Sequence, residues 1–379
     1  MKPLHGIAVV SFVAILSGVL VVNAEMPEIQ EIKIAPYDLS EKAYTLDARG
    51  NNVVILEKKI ENTFSEMSER ERVGQLFMPA VGSNGSSYGS VKALAERGEI
   101  SGFMVLGKNI SDAQIQELRN IFIERDDIPP LVALDAEPSL ISSRVTGARA
   151  NSTATYNTEE SSKTIGERIS GLMRSKGYNV NFAPVYDTNA NNSVIGSRSY
   201  GPTTDITSRL ANAFKEGSNT FNIATTAKHF PGHGQVVGDS HKLLPTINGS
   251  LSELPAFVSA IEAKVPLIMI GHLNIDTPEL NTTGRPATLS PLVMNDLLRD
   301  ELKYDGVIIT DAFNMNALDG FSDKEIVSIE AGADIVLMPE GSISDHISDI
   351  VEKMNEDKEY KADVEQKVKR VLELRHTLQ

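Results

Sequence analysis

"LLRDELKYDGVIITDAFNM", Leu297 to Met315, carries the pattern that decides the fold. Leu297, Leu298 and Leu302 continue an apolar helical face behind Ser290-Pro291, a cap followed by proline at the first helical position. Val307, Ile308 and Ile309 then form an unbroken apolar run. A strand without polar alternation is buried on both faces, the mark of a parallel sheet covered by helices. The run ends on Asp311. A carboxylate closing a buried strand is costly unless it has partners or work to do.

The same unit recurs along the chain. Apolar runs stand at "QLFM" (75–78), "SGFMVL" (101–106), "PLVAL" (130–134), "NVNFAPV" (179–185), "IATTA" (223–227), "PLIMI" (266–270), "GVIIT" (306–310) and "DIVLM" (334–338). Helical stripes lie between them. Ile165, Ile169, Leu172 and Met173 make one, with Gly177 to end it; Ile206, Leu210 and Phe214 make another, with Asp205 as its N-cap. Eight strands alternating with helices over roughly 300 residues predict an α/β fold, a (β/α)8 TIM-type barrel forming a single catalytic domain. A doubly wound open sheet is the alternative, but no Gly-x-Gly-x-x-Gly follows an early strand, so its dinucleotide form has no support. The chain divides into residues 1–24, an extension over 25–65 and the barrel over 66–379.

Composition narrows the function. With 41% apolar residues the 379-residue chain can bury a sizeable core. A net charge of −15 lacks the basic footprint of a nucleic-acid binder. The absence of cysteine excludes disulfides, thiol chemistry and a lipid-modified amino-terminal cysteine. At the amino terminus, Lys2 precedes an apolar run from Gly6 to Val22, and Val22-Asn23-Ala24 fits a cleavage site after Ala24. This predicts a signal peptide over 1–24 and a folded part that is periplasmic or extracellular. An anchor retained over residues 6–22 is the alternative.

Barrel enzymes place their sites at the carboxyl ends of strands. Asp135 and Glu137 follow the third run, Asp187 and later Arg198 the fourth, Lys228 and His229 the fifth, His272 the sixth, and Asp311 the seventh. Lys228 and His229 open "KHFPGHGQVVGDSHKLLP" (228–245), a glycine-rich loop holding three of the seven histidines. A metal site from His229, His233, His241 and an aspartate is one reading, but His-Phe-Pro-Gly-His lacks the zincin spacing and glutamate. A bracing role is another, and it suits His233. The third is acid/base catalysis. Asp239, two residues before His241, can hold one imidazole nitrogen and leave the other for proton transfer.

"KHFPGHGQVVGDSH" (228–241) and "GVIITDAFNM" (306–315) resemble the two signature segments of glycoside hydrolase family 3, the first specific to its β-N-acetylglucosaminidase branch, which includes peptidoglycan-recycling enzymes. "SERERVGQLFM" (68–78), "NFAPVYD" (181–187), "NSVIGSRSYG" (192–201), "RPATLS" (285–290) and "EAGADIVLMP" (330–339) extend the likeness in the family's order. The resemblance implies a retaining exo-β-N-acetylglucosaminidase that removes terminal N-acetylglucosamine from glycans, cell-wall fragments being the expected source. It implies Asp311 as nucleophile and His241, oriented by Asp239, as general acid/base. Asp135, Arg198, Lys228 and His229 match positions that bind hydroxyls of the non-reducing sugar.

The expected partner is therefore a carbohydrate substrate, with no cofactor, no metal, no nucleic acid, and no stable membrane partner unless the amino terminus is retained. One segment departs from the family. "DAEPSLISSRV" (135–145) replaces a flexible pair with Pro138-Ser139 and sets Arg144 nine residues after Asp135, where the family's arginine comes eight after. Arg144 is the candidate for that arginine's place on the sugar. Two other functions stay open: a family 3 β-glycosidase for another terminal sugar such as glucose, and a glycan-binding protein with an eroded site. The carboxy-terminal α/β domain of many relatives is not expected here, only the charged amphipathic helix "ADVEQKVKRVLELRHTL" (362–378).

Overall fold

Residues 53–107, 109–145, 147–188, 194–236 and 238–379 are described by the computed structural model; the expected signal segment and residues 25–52 of the expected extension lie outside them. Strand β1 is Phe77–Met78, resumed beyond Pro79 as Ala80–Val81. It is followed by β2 (Gly102–Val105), β3 (Leu131–Leu134), β4 (Val180–Asn181) and β5 (Ala224–Phe230). Then come β6 (Leu267–Ile270), β7 (Val307–Thr310) and β8 (Val336–Leu337). Each coincides with or begins in one of the expected apolar runs, but the first strand resumes at Ala80–Val81 beyond its run and β5 continues past its run to Phe230.

All neighbours pair in parallel, from β1 with β2 through to β6 with β7. Ile309 bridges to Ile335 beside β8, and β8 pairs with β1, so the sheet curls until its edges meet. Alternation along the strands separates two cores. Leu267, Met269, Val307 and Ile309 belong to an inner cluster. Ile268, Ile270 and Ile308 belong to an outer one, against the helices. Both faces are therefore apolar, which is why the runs lack a polar period.

The helices follow the stripes, with two corrections, the first at the helix Leu292–Glu301, where Pro291 rather than Ser290 stands at the N-cap and no side chain caps the end. Ile165, Ile169 and Met173 are buried in α1 (Glu159–Ser175), and Gly177 follows it at φ +91°. In α2 (Thr204–Asn219) the N-cap is Thr203, whose hydroxyl accepts from the Ile206 amide; Asp205 sits in the first turn instead, where its charge meets the helix dipole.

The last helix, α3 (Lys358–Thr377), does more than cover a face. Val371, Leu374 and Leu378 join the inner core. Arg375 is fully buried and donates to the carbonyls of Pro129 and Ile128, to Gln75 Oε1 and to Asp126 Oδ2. Pro129 and Ile128 stand where β3 begins, so α3 plugs the end of the sheet opposite the strand carboxyl ends. Helix Val53–Glu66 packs with it inside the same compact unit, through Thr63 Oγ1 and His376 Nε2 at 3.0 Å.

Candidate active site

The loops after the strand carboxyl ends enclose a cavity of about 370 Å3. Asp135, Arg144, Arg198, Lys228, His229, His241 and Asp311 all line it. Asp239 stands behind His241 rather than on the wall.

Asp311 directly follows β7, and its Oδ1 accepts from the Ala312 amide at 2.8 Å. Burial opposes its ionisation, but His229, His272, that amide and Lys228 outweigh it and hold the carboxyl below the usual range. His272 lies beneath. It is wholly buried, donates from Nε2 to the Ala312 carbonyl at 2.9 Å and pairs through Nδ1 with Thr288 Oγ1. Burial lowers its pKa against the pull of the Asp311 charge, and its ring braces the turn that carries Asp311.

Strand β5 supplies two neighbouring side chains. A regular strand sends successive residues to opposite faces. Pairing with β6 slips between Lys228 and Phe230, and that irregularity allows Lys228 and His229 to line one cavity. Lys228 is buried, with its ammonium 2.7 Å from both Asp135 Oδ1 and Glu137 Oε1. Burial alone would lower its pKa; the two carboxylates raise it instead.

Glu137 was named in the sequence only as a neighbour of Asp135. It proves central. Arg198 donates to it twice, Nε at 2.9 Å and Nη2 at 2.8 Å, and Lys228 makes the third contact. Buried though it is, these cations hold its carboxyl far below the ordinary value. Arg198 thus both braces the mouth and lines the cavity. Ser139, from the departing segment, donates to the Ser197 carbonyl at 2.7 Å and so pins the turn beside Arg198. Arg144 reaches the wall in spite of its shifted spacing, with Nη2 3.9 Å from Asp135 Oδ2.

The glycine-rich loop is anchored at both ends. At its root, buried Asp187 accepts from the backbone amides of His229 and His233 at 3.0 and 2.8 Å, and from His229 Nδ1 at 2.6 Å. The ring contact fixes the His229 tautomer. At its far end, the parallel pair Thr246–Asn248 and Asn274–Asp276 ties the chain down. Between them, His233 bonds through Nε2 with Ser240 at 3.0 Å, which fulfils the bracing role. His241 is exposed at the loop's tip, with Nδ1 and its own amide donating to Asp239 Oδ1 at 2.9 and 3.0 Å. Burial pushes the Asp239 carboxyl up, but these bonds, with Lys242 at 3.2 Å, together outweigh it and keep the carboxyl below its usual range. The remaining imidazole nitrogen, Nε2, is the one left for a ligand. Among the described residues no cluster of His, Cys, Asp and Glu could hold a metal ion.

The family model described as the N-terminal domain of glycosyl hydrolase family 3 matches residues 68–374. The chain belongs to this family. Beta-hexosaminidase A of Pseudoalteromonas piscicida is 32% identical over 280 residues, 65% of this chain and 47% of that protein. The beta-hexosaminidase of Idiomarina loihiensis is 31% identical over 188 residues, 48% of this chain and 56% of the relative. The chain thus spans about half the length of these curated relatives. Among solved structures, a glycoside hydrolase family 3 beta-N-acetylglucosaminidase from Paenibacillus sp. str. FPU-7 superposes with a TM-score of 0.73 at 32% identity, covering 82% of this chain and 63% of that one. A beta-N-acetylhexosaminidase from Beutenbergia cavernae shares the fold, with a TM-score of 0.71 at 24% identity over 81% of this chain and 98% of its own.

Within this family 3 chain, sequence reasoning gave no role to Glu137, Asp187 or Glu253. Asp187 carries the same signal as Asp311, a carboxylate after an apolar strand. Glu253 carries none, because it sits in the ordinary-looking "LSELPAF" (251–257).

Proposed function

We propose that this protein is an exported retaining exo-β-N-acetylglucosaminidase that removes terminal N-acetylglucosamine from glycans, its substrates being bacterial cell-wall fragments, which an export signal suits. The observation that carries the reading is one sugar-sized cavity bounded both by Asp311 and by His241, whose ring Asp239 holds from behind. Residues 66–379 act as one catalytic barrel, and residues 1–24 direct export.

The geometry supports a double displacement. A terminal sugar enters with its hydroxyls toward Asp135, Arg144, Arg198, Lys228 and His229. The Asp311 carboxylate attacks the anomeric carbon as the bond to the leaving oxygen breaks, and His241 Nε2–H gives that oxygen its proton. In the second step neutral His241 takes a proton from water, whose oxygen attacks the same carbon and frees Asp311. Two inversions retain configuration. Asp239 stabilises the imidazolium that the first step requires, and the depressed Asp311 pKa keeps the attacking carboxylate ionised.

Hydrolysis of 4-nitrophenyl N-acetyl-β-glucosaminide, with NMR of the first-formed anomer, tests the reading. A β-anomer from the glucosaminide, with little turnover of the β-glucoside, is expected. Preference for the glucoside would reassign the sugar, binding without turnover would leave a glycan-binding protein, and an α-anomer would remove the covalent step. The mass of the mature amino terminus from its native host tests export and cleavage after Ala24.

A further inference from the structure

Glu253 lies outside the cavity and the chemistry described above does not use it. It is nevertheless buried at 3% exposure in the turn before the helix Leu254–Glu262, directly under the root of the histidine loop. Its Oε1 accepts from the Thr188 amide at 2.5 Å and the Thr188 hydroxyl at 2.7 Å. Its Oε2 accepts from the Gly234 amide at 2.7 Å. One carboxylate therefore joins the segment after β4 to the segment after β5.

The loop is built around this contact. A Cβ on Gly232 would stand 2.5 Å from Glu253 Cβ, and one on Gly234 would stand 2.6 Å from Glu253 Oε1 and 1.9 Å from the Thr188 carbonyl. Only glycine allows so close an approach, which accounts for the Pro-Gly-His-Gly sequence physically. Thr188 adjoins Asp187, the acceptor for His229 and His233. From Gly234 the chain runs through Gln235 and Val236 to Asp239 and His241. Gly238, at φ +132°, lies just before the Asp239–His241 pair.

We infer that Glu253 is a positioning residue: by holding Gly234 to Thr188 it sets where the loop delivers the His241–Asp239 pair over the cavity. It touches no substrate. All three donors facing it are backbone or hydroxyl groups, so a carboxylate, with acceptors on both oxygens, satisfies them without a cation. Glutamine fills the same volume but turns an amide toward one N–H and leaves that donor buried and unpaired. The catalytic part of this inference rests on the glycosidase reading; the structural part does not.

The test uses the full chain, wild type and Glu253→Gln, with two readouts. Hydrogen–deuterium exchange of peptides covering 231–245 should quicken roughly five- to 150-fold in the variant, since an unpaired buried donor costs roughly 1–3 kcal/mol. Peptides from β6 and β7 should not change. Hydrolysis is then compared on methyl and 2,4-dinitrophenyl N-acetyl-β-glucosaminides. Misplacing the acid should lower kcat/KM, which reports the first step alone, by roughly ten- to a hundredfold on the methyl glycoside and leave it within about threefold on the dinitrophenyl glycoside, whose first step needs little proton donation. Unchanged exchange at 231–245, or a rise spread evenly over the chain, overturns the inference, as does an equal loss on both substrates. Local loosening in a chain whose wild type hydrolyses neither substrate upholds the staple and defeats the glycosidase reading instead.

Discussion

Arg198 grips Glu137 through two nearly equal hydrogen bonds, 2.9 and 2.8 Å long, and Lys228 completes the cluster at 2.7 Å. The two cations that line the cavity are thus held in place by a buried carboxylate, which leaves them little freedom to reorient when a ligand arrives. Removing Glu137 strands two cations. Glu137→Ala should lose about 3–5 kcal/mol of stability, the usual result of breaking a buried ion cluster. Urea denaturation measures this, and a loss under about 1 kcal/mol would show that the cluster relaxes or hydrates freely.

Asp311→Ala should reduce hydrolysis by at least about a hundredfold on every leaving group, because nothing else on the wall replaces the attacking oxygen. His241→Ala should fall as far on a methyl glycoside and less in the first step on a dinitrophenyl glycoside. Burst kinetics separate the two steps. Matching profiles for both variants across leaving groups would contradict the division of roles.

Arg144 stands on the cavity wall, 3.9 Å from Asp135 Oδ2, where the proposed reading gives it a hydrogen bond to the sugar. A hydrogen bond from a charged donor is worth roughly 1.5–3 kcal/mol. If that bond is made equally in ground and transition states, Arg144→Ala should raise KM at least about tenfold with kcat within about twofold. A fall in kcat at constant KM would place the arginine's contribution in the transition state alone.

Glu253 gives a pH signature. Burial and the Asp187 charge push its carboxyl up to about 7, against the pull of the Thr188 and Gly234 donors. Between the ordinary value of 4.5 and 7, the folded state keeps a proton that the unfolded state has released. Stability therefore falls as pH rises through that window, by at most about 1.4 kcal/mol per unit for a single group. His233, whose pKa burial lowers, works in the opposite direction, as does Asp187, whose carboxyl His229 and His233 hold low against burial. The comparison is therefore wild type against Glu253→Gln, by denaturation at pH 5, 6, 7 and 8. The wild type should lose stability relative to the variant as pH rises, and a constant difference would refute the raised pKa.

Much of this was legible because it was local. The eight apolar runs mark the strands, since burial on both faces removes polar residues from consecutive positions. Asp311, His241 with Asp239, and Lys228 with His229 stood out because each interrupts or follows such a run. The N-cap of α2 moved from Asp205 to Thr203 because three hydroxyl or carboxyl residues within three positions, Thr203, Thr204 and Asp205, can all cap, and helix entry geometry chose among them. The carboxy-terminal helix reads as charged and amphipathic. Arg375 is nonetheless buried, since carbonyls preceding β3 and Asp126 satisfy its guanidinium.

By itself the sequence determined which segments become strands, that they lie in parallel, and which charged groups stand at their carboxyl ends, because hydrophobic period and strand-end chemistry are written within a few residues. Only the tertiary structure decided how those charges pair. Glu137 with Arg198 and Lys228, Asp187 with His229 and His233, and Glu253 with Thr188 and Gly234 span 19 to 91 positions. A buried charge or donor is stabilised by whatever group the fold brings within about 3 Å, and that neighbour leaves no trace in the local pattern.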